Sequence, residues 1–464
     1  MPHLQLCLIA RDEAALLPAC LASVHGVVDR IVVVDTGSRD RTATLAKAAG
    51  ATVVDHPWTD DFAAARQAGL AALEPGWMLV LDADERLAPG AGPALRAAMA
   101  QDDLDVGLLP LHNASALDAR PGDVLSGRDR LGEPVLLARL FRLAPDLRWA
   151  GALHERLEAP DRALVRRPID APILHLGYAL DPQLTERKHA RNLSILRSMT
   201  ESAEPLDASP FCYLARDATR AGDAERAATA AREGWRRLEA RHAAGLPLPP
   251  ATVTLVAIAL DQHLGDGDVK GARAALTTAA GWGMRHPNLD LLDATVALAE
   301  AGSARGGVRR KRLRAAETAA RRALAARGLP QRDEVSAGAT SWMASLRLGE
   351  ALLLQDRPGD AITAFQTSLG ALPRRLDGLP AQAATAARVG AAEALLRRDP
   401  AQALALVEPA MKTPWPDAWA VAAAAAAALH QADEARLFAA QGWERRAAGW
   451  LAPHRRTLLE QARR

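Results

Sequence analysis

At 464 residues, 49% hydrophobic and 24% charged, the chain has an ordinary globular composition that excludes wholesale disorder, and length enough for roughly two to four domains. Lys and Arg number 57 against 55 Asp and Glu, and the formal net charge of +2 gives no reason to expect nucleic acid or an anionic membrane as a bulk partner. Cys7, Cys20 and Cys212 are too few and too scattered for a disulfide framework or a zinc cluster, and read as buried apolar residues in a reducing compartment.

The first apolar run, Leu4 to Ala10, lacks a basic flank and leads into Arg11, Asp12 and Glu13, so it is a strand and not a secretion signal. Strand-like runs follow at Arg30–Asp35, Ala51–Asp55 and Trp77–Asp82, separated by helical spacing over Glu13–Val24, Arg41–Ala49 and Asp61–Leu73. Alternation of this kind implies βαβ units and a parallel sheet with helices on both faces. Further strands are expected at Val106–His112, Val135–Phe141 and Ile173–Leu176, with a polar loop at Asp118–Glu133.

Composition shifts near residue 200, which divides the chain into an α/β domain at 1–200 and an alanine-rich all-α domain at 201–464. Gly349, Ala361, Phe365 and Pro373 follow the small-residue, alanine, phenylalanine and terminal-proline spacing of a tetratricopeptide repeat. Weaker copies lie at Ala215/Gly222/Ala227, Ala391/Ala403/Ala410 and Ala423/Ala435/Gly442; the bland alternative is an unrelated helical bundle. Arg305–Arg314 reads as a solvated helix start. The longest apolar stretch, Trp419–Leu429, falls short of the ~20 residues that span a bilayer, so no transmembrane segment and a cytoplasmic location are expected.

Two acidic signals end apolar strands. Asp35, followed by Thr36-Gly37-Ser38, is placed to bind a base or ribose, because ligands of open α/β sheets bind outside the carboxyl ends of the strands. Ser38, Asp40 and Thr42 read instead as turn or cap residues. In Leu81-Asp82-Ala83-Asp84-Glu85, clustered carboxylates are costly unless they reach solvent or a cation. Asp82 and Asp84 point to one side if strand geometry continues, and their hard oxygens suit Mg²⁺ or Mn²⁺ shared with substrate phosphates.

Together with Arg11-Asp12-Glu13 and Asp61-Phe62-Ala63-Ala64-Ala65-Arg66, these elements make residues 4 to about 100 resemble a glycosyltransferase family 2 nucleotide-sugar transferase. Gln67 is a mild departure, since many members carry asparagine there. The resemblance implies a GT-A Rossmann-like mixed sheet. It places Asp35 on the nucleoside, Asp82 near sugar and ribose, Asp84 on the metal, and Glu13 and Arg66 along the nucleotide pocket. Trp149-Ala150-Gly151-Ala152-Leu153-His154-Glu155 resembles the Gly-x-x-His-Glu element of one branch, with Glu155 as candidate general base and His154 positioning the substrate or the carboxylate. His175-Leu176-Gly177-Tyr178 followed by Lys188 and Arg191-Asn192 resembles the same branch, with His175 as a further metal ligand and Lys188 near the departing diphosphate.

The leading expectation is a metal-dependent, inverting transferase that moves sugar from a nucleotide diphosphate donor, of the UDP type, to a peptide or protein. The helical repeats would hold the acceptor or build a homodimer. The arrangement resembles bacterial peptide and protein glycosyltransferases of the bacteriocin S-glycosyltransferase type. The alternatives are a lipopolysaccharide or lipid-linked acceptor, or a non-catalytic repeat scaffold on a degenerate transferase domain. A fragment cut near residue 200 is expected to keep donor binding.

Overall fold

The computed structural model describes residues 2–131, 134–159, 162, 164–177, 182–249, 252–329, 335, 338–372, 378–445 and 453–462, with the side chains of 182–189, 220, 378, 379 and 453 outside that description. Two compact units emerge, residues 1–258 with 328–335, and residues 259–327 with 336–464. The first unit therefore runs past residue 200 and takes in helices that follow the sheet.

The first unit begins β1 (Leu4–Ala10), α1 (Leu17–Ser23), β2 (Arg30–Asp35), α2 (Thr42–Ala48), β3 (Thr52–Asp55), α3 (Phe62–Ala71) and β4 (Trp77–Val80). It continues with β5 (Glu85–Leu87), α4 (Gly92–Met99), β6 (Val106–Asn113), α5 (Pro121–Leu125) and β7 (Val135–Arg142). The short strands β8 (Arg148–Ala150), β9 (Arg156–Glu158), β10 (Arg166–Pro168) and β11 (Ile173–His175) follow. After them come α6 (Pro182–Glu201), α7 (Ser209–Arg220) and α8 (Ala224–Ala243).

The main sheet has the order β3-β2-β1-β4-β7-β6-β11-β5, with β10 on β6. Strands β1 to β4 are mutually parallel, β7 runs antiparallel to both β4 and β6, β11 is parallel to β6, and β5 is antiparallel to β11. The sheet is mixed, as the family resemblance implies, and not wholly parallel as the strand–helix alternation alone implied. The carboxyl ends of β1, β2, β4, β6 and β11 and the start of β5 all lie along one edge.

Side-chain alternation divides the core between the two faces. Leu4, Leu6, Leu8, Leu79 and Leu81 pack with Leu17, Cys20, Leu95 and Met99 of α1 and α4 on one side. Cys7, Met78, Val80 and Phe141 pack with Leu70 of α3 and with Trp149 and Leu157 of the β8–β9 hairpin on the other. Between Gly107 and Leu108 the β6–β7 register shifts, so that Gly107 faces Leu140 while Leu108 faces Ala138. Arg139 is the extra residue of this β-bulge, a device that re-aims a side chain out of the strand's alternation.

The second unit is helical, with α9 (Thr252–Gly265) leading into it, then α10 (Val269–Gly281), α11 (Pro287–Ser303), α12 (Gly306–Ala325), α13 (Trp342–Leu354) and α14 (Pro358–Gly370). It ends with α15 (Gly378–Leu395), α16 (Pro400–Met411), α17 (Pro416–Ala428), α18 (Ala432–Arg445) and α19 (Pro453–Ala462). Repeat positions fall at helix contacts. Phe365 is fully buried, and a Cβ placed on Gly349 of α13 or Gly390 of α15 would run into its ring. Ala361, Ala391, Ala403, Ala410, Ala423 and Ala435 are buried, as close helix approach requires. In the first unit Ala215 and Ala227 are buried and Gly222 turns between α7 and α8 at φ 74°. Pro373 lies outside the described residues. Asp268 and Asp399 cap α10 and α16 by accepting from the backbone N–H three residues on. Among the described residues no helix is long and apolar enough to cross a membrane.

Candidate active site

Asp35 closes β2 and is buried to 7% exposure. Its Oδ1 accepts from the N–H groups of Gly37 (3.1 Å) and Ser38 (2.8 Å), which leaves Oδ2 for a ligand. Gly37 sits at φ 100°, a conformation that a residue with a Cβ adopts only under strain. The loops after β1 and β2 are laced together. Asp12 Oδ1 accepts from Arg39 N, Asp40 Oδ2 from Ala14 N, and Thr42 Oγ1 from Glu13 N. Ser38 and Thr42 thus act as loop braces, and Asp40 does two jobs: Oδ2 braces the loops while Oδ1 accepts from the Thr42 N–H (2.8 Å) at the start of α2, whose N-cap position is Arg41. The Glu13 carbonyl accepts from Leu16 and Leu17 at the entry to α1.

Strand geometry does not continue past Val80. The Glu85 N–H turns back onto the Asp82 carbonyl at 2.9 Å, and this turn sends Asp82 and Asp84 to different partners. Asp82 accepts from Arg66 Nη2 (3.0 Å) and Arg139 Nη2 (3.3 Å), yet its side chain keeps 41% exposure, so a ligand can reach it. Burial opposes its charge, but the two guanidiniums outweigh that and hold the carboxyl well below the usual range. Glu85, only 2% exposed, accepts from Arg139 at 2.5 Å and from the Asp82 N–H at 2.9 Å. Burial pushes its carboxyl up to about 7 against the opposing charge of Arg139.

Asp84, 9% exposed, faces His175, with Oδ2 3.6 Å from Nε2. The Asn113 amide oxygen lies 2.8 Å from His175 Nδ1, so Nδ1 carries a proton and Nε2 is turned toward Asp84. The strand register explains the cluster, since His175 pairs with Asn113 on one side and Glu85 on the other. Burial works against a charged His175, but the hydrogen bond and charge of Asp84, with Glu85 and Asp82 behind, raise its pKa. Gly177 borders the pair. A Cβ there would fall 2.7 Å from Asp84 Oδ2 and closer still to His175 Nε2, so the site keeps an open cradle that a side chain would fill.

A carboxylate plus an imidazole with a fixed tautomer is a fitting donor set for a divalent cation. Among the described residues no group of three or more His, Cys, Asp and Glu side chains forms a complete metal cage. The arrangement fits an ion that draws its other ligands from substrate phosphates and water, as Mg²⁺ does.

The β8–β9 hairpin presents the third signal. Trp149 pairs with Leu157 and Ala150 with Arg156, so 151–155 is the hairpin loop, with Gly151 at φ 93° and His154 at φ 56°. Glu155 Oε1 accepts from Arg66 Nε. Arg66, 7% exposed, therefore bridges Glu155 and Asp82, and its guanidinium is held protonated by both carboxylates despite its burial. Its guanidinium also lies 5.4 Å from the Trp149 ring centroid. Gln67 Oε1 accepts from Trp149 N, a use for the departure from asparagine. Asp61 caps α3 and Asp60 accepts from the Trp58 indole.

His154 does not face the Asp84–His175 pair. Its Nε2 lies 2.9 Å from Arg216 Nη2 and its ring stacks on Tyr213 of α7 at 3.7 Å. Lys188 lies on α6, but its side chain is outside the described residues, as is Tyr178. Sequence reasoning missed Arg139, Asn113 and Arg216. An arginine in an otherwise apolar strand was the available signal for Arg139; the other two act across distances in sequence that no local pattern carries.

Parallel strands ending in carboxylates, a bridging arginine and an acid–imidazole pair gather along one edge of the sheet in this α/β domain. Residues 6–125 match the model of glycosyl transferase family 2, so this region is a glycosyltransferase family 2 domain. The chain is 38% identical over 201 residues to a TPR repeat-containing protein of Synechococcus elongatus, covering 42% of this chain and 46% of that protein. An uncharacterized glycosyltransferase of Rickettsia bellii is 34% identical over 80 residues, 17% of this chain and 27% of that one. The matches thus span less than half the length of these relatives. Among solved structures, glucosyl-3-phosphoglycerate synthase from Mycobacterium tuberculosis with Mn²⁺, UDP and glucosyl-3-phosphoglycerate aligns at 24% identity and TM-score 0.22, over 24% of this chain and 44% of that one. A tetratricopeptide repeat protein from Parabacteroides merdae aligns at 12% identity and TM-score 0.37, over 60% of this chain and 93% of that one.

Proposed function

We propose that the protein is a metal-dependent, inverting glycosyltransferase that moves a sugar from a nucleotide diphosphate donor, with a UDP-sugar the first to test, to a peptide or protein. The helical repeats recognise the acceptor or join two copies. The observation that carries this reading is the open Asp84–His175 pair beside Asp35 and Asp82 on one sheet edge. In this reading Asp35 takes the nucleoside through Oδ2 and Asp82 takes ribose or sugar hydroxyls while Arg66 and Arg139 keep it ionised. Glu13 shapes the loop beside Asp35, and the diphosphate role of Lys188 rests on the family resemblance alone.

Asp84 and His175 would hold the ion. When bound, Mg²⁺ or Mn²⁺ supplies charge neutralisation at the diphosphate. The acceptor oxygen or sulfur forms its bond to the anomeric carbon as the bond to the diphosphate breaks, and the acceptor proton passes to Glu155. Since Oε1 is engaged by Arg66, Oε2 is the oxygen that takes it.

Purified protein incubated with a panel of nucleotide sugars, with and without chelator, tests the reading through nucleoside diphosphate release and acceptor mass. Asp84→Ala should abolish transfer while leaving the secondary structure by circular dichroism that of wild type, because the buried Asp84 carboxylate pairs with His175 and is no part of the apolar core clusters. Turnover that persists under exhaustive chelation would remove the metal from the scheme.

A further inference from the structure

The loops on either side of Glu155 are gripped by helices that follow the sheet. His154 and Asp60 are two of the non-glycine residues with positive φ, at 56° and 58°. Such conformations persist where surrounding structure enforces them. Arg191 of α6 lies over the rings of Trp58 (5.7 Å) and Phe62 (5.0 Å), which flank Asp60. On the other side His154 is clamped by α7. Tyr213 stacks on its ring at 23° between planes, and Arg216 reaches Nε2 at 2.9 Å. Arg216 is itself held by Asp217, Nε to Oδ1 2.7 Å, a carboxylate only 5% exposed. Leu153 joins Ile195, Leu196, Leu214 and Ala215 in one apolar cluster beneath.

The direction of the Arg216 bond fixes the chemistry of His154. A guanidinium has donors only, so Nε2 must accept, and the ring proton is confined to Nδ1. His154 is therefore neither a base through Nε2 nor a free metal ligand. It is a latch whose far side is bolted to α7 while its backbone carries Glu155.

We propose that Arg216 and Tyr213 are positioning residues for the transferase. They hold His154 as the Nδ1–H tautomer in its left-handed conformation and so seat Glu155 on Arg66, which makes the first helices after the sheet part of the active site. The proposal rests on the reading of Glu155 as the acceptor-side base.

Two measurements on the full-length chain test it. In ¹⁵N-histidine-labelled protein without donor, His154, assigned through His154→Gln, should show a protonated Nδ1 and a bare Nε2, and Arg216→Met should lose that fixed pattern. In turnover, Arg216→Met and Tyr213→Leu should lower kcat by about 10²-fold, the order expected for misplacing a catalytic group, with donor KM unchanged. Tyr213→Phe, which keeps the stack, should stay near wild type. If Arg216→Met does not fold, the Tyr213→Leu against Tyr213→Phe comparison decides alone. A folded Arg216→Met with the wild-type His154 pattern and kcat overturns the proposal. If no donor is turned over by wild type, the base reading fails, and the His154 ring still reports whether Arg216 sets its tautomer.

Discussion

Arg66 holds Glu155 through Nε and Asp82 through Nη2, so a change at either carboxylate alters the partner of the other. Glu155→Gln keeps shape and one acceptor oxygen toward Arg66 but cannot take a proton. With an oxygen acceptor, turnover should fall by about 10²–10⁴ while the donor dissociation constant moves little. A purely structural Glu155 would instead lower the melting temperature and leave turnover per folded molecule intact. A thiol acceptor ionises more readily and would blunt the effect. Arg139 makes a different kind of demand. It is the charge that Glu85 faces at 2% exposure and a second one for Asp82. Arg139→Leu should cost on the order of 3–5 kcal/mol, the range for breaking a buried ion pair from one side, readable as a lower urea midpoint of the first unit's transition.

At the scale of elements, α6 and α7 belong with the sheet. A fragment ending near residue 200 would expose Leu196, Ile195 and Leu153, which pack against Leu214, Ala215, Ala230 and Ile258. Such a fragment should bind nucleotide sugar poorly and aggregate, whereas one carried past Ile258 should stay soluble; size-exclusion chromatography of the pair separates them. In the second unit Phe365 fills the space over Gly349 and Gly390. Phe365→Ala should cost about 3–5 kcal/mol and Gly349→Ala about 1–3 kcal/mol through overpacking, both read by thermal unfolding.

These elements also show what could be read in advance. Strands β1, β2 and β4 and the buried repeat alanines were legible because apolar alternation and small-residue spacing are local. The strands β5, β8, β9 and β10 span three residues each, too short for any period to declare itself. Asp35 and Asp84 were legible as acids beyond apolar runs. Asp82 and Asp84 reach different partners because a turn at Asp82–Glu85 ends the strand early. Arg139 was hidden by the bulge, which breaks the alternation that would have assigned it a face.

Across the whole molecule the two units carry separate electrostatic liabilities. In the second, Glu393 accepts from Arg455 Nε at 2.8 Å, and Arg455 Nη1 reaches Asp417 at 2.7 Å. Burial would raise the Glu393 carboxyl, but Arg455 and His454 outweigh it and hold it at about 2, below its ordinary 4.5. A depressed acid contributes stability that is fully present above the unfolded pKa and is lost as pH falls through the folded one. The second unit should therefore lose on the order of 3 kcal/mol between about pH 5 and pH 2. Arg455→Met should abolish that acid dependence along with much of the neutral-pH stability, as followed by helical circular dichroism.

All three sulfur atoms suited to a chromogenic disulfide reagent lie in the first unit, at Cys7, Cys20 and Cys212, each buried. Burial pushes their thiols up to about 11, 12 and 12, and only the thiolate attacks. In the native protein they are silent, and each begins to react only when its surroundings open. The chain thus contains a stopwatch wired to one half of itself. Colour release under denaturant times the opening of the sheet-bearing half without any introduced label. The helical half, which has no cysteine, can melt without directly starting the clock. A nucleotide sugar that binds at Asp35 and Asp82 should slow the release, and a slowing that requires Mg²⁺ or Mn²⁺ would report occupancy of the Asp84–His175 pair before any sugar has been transferred.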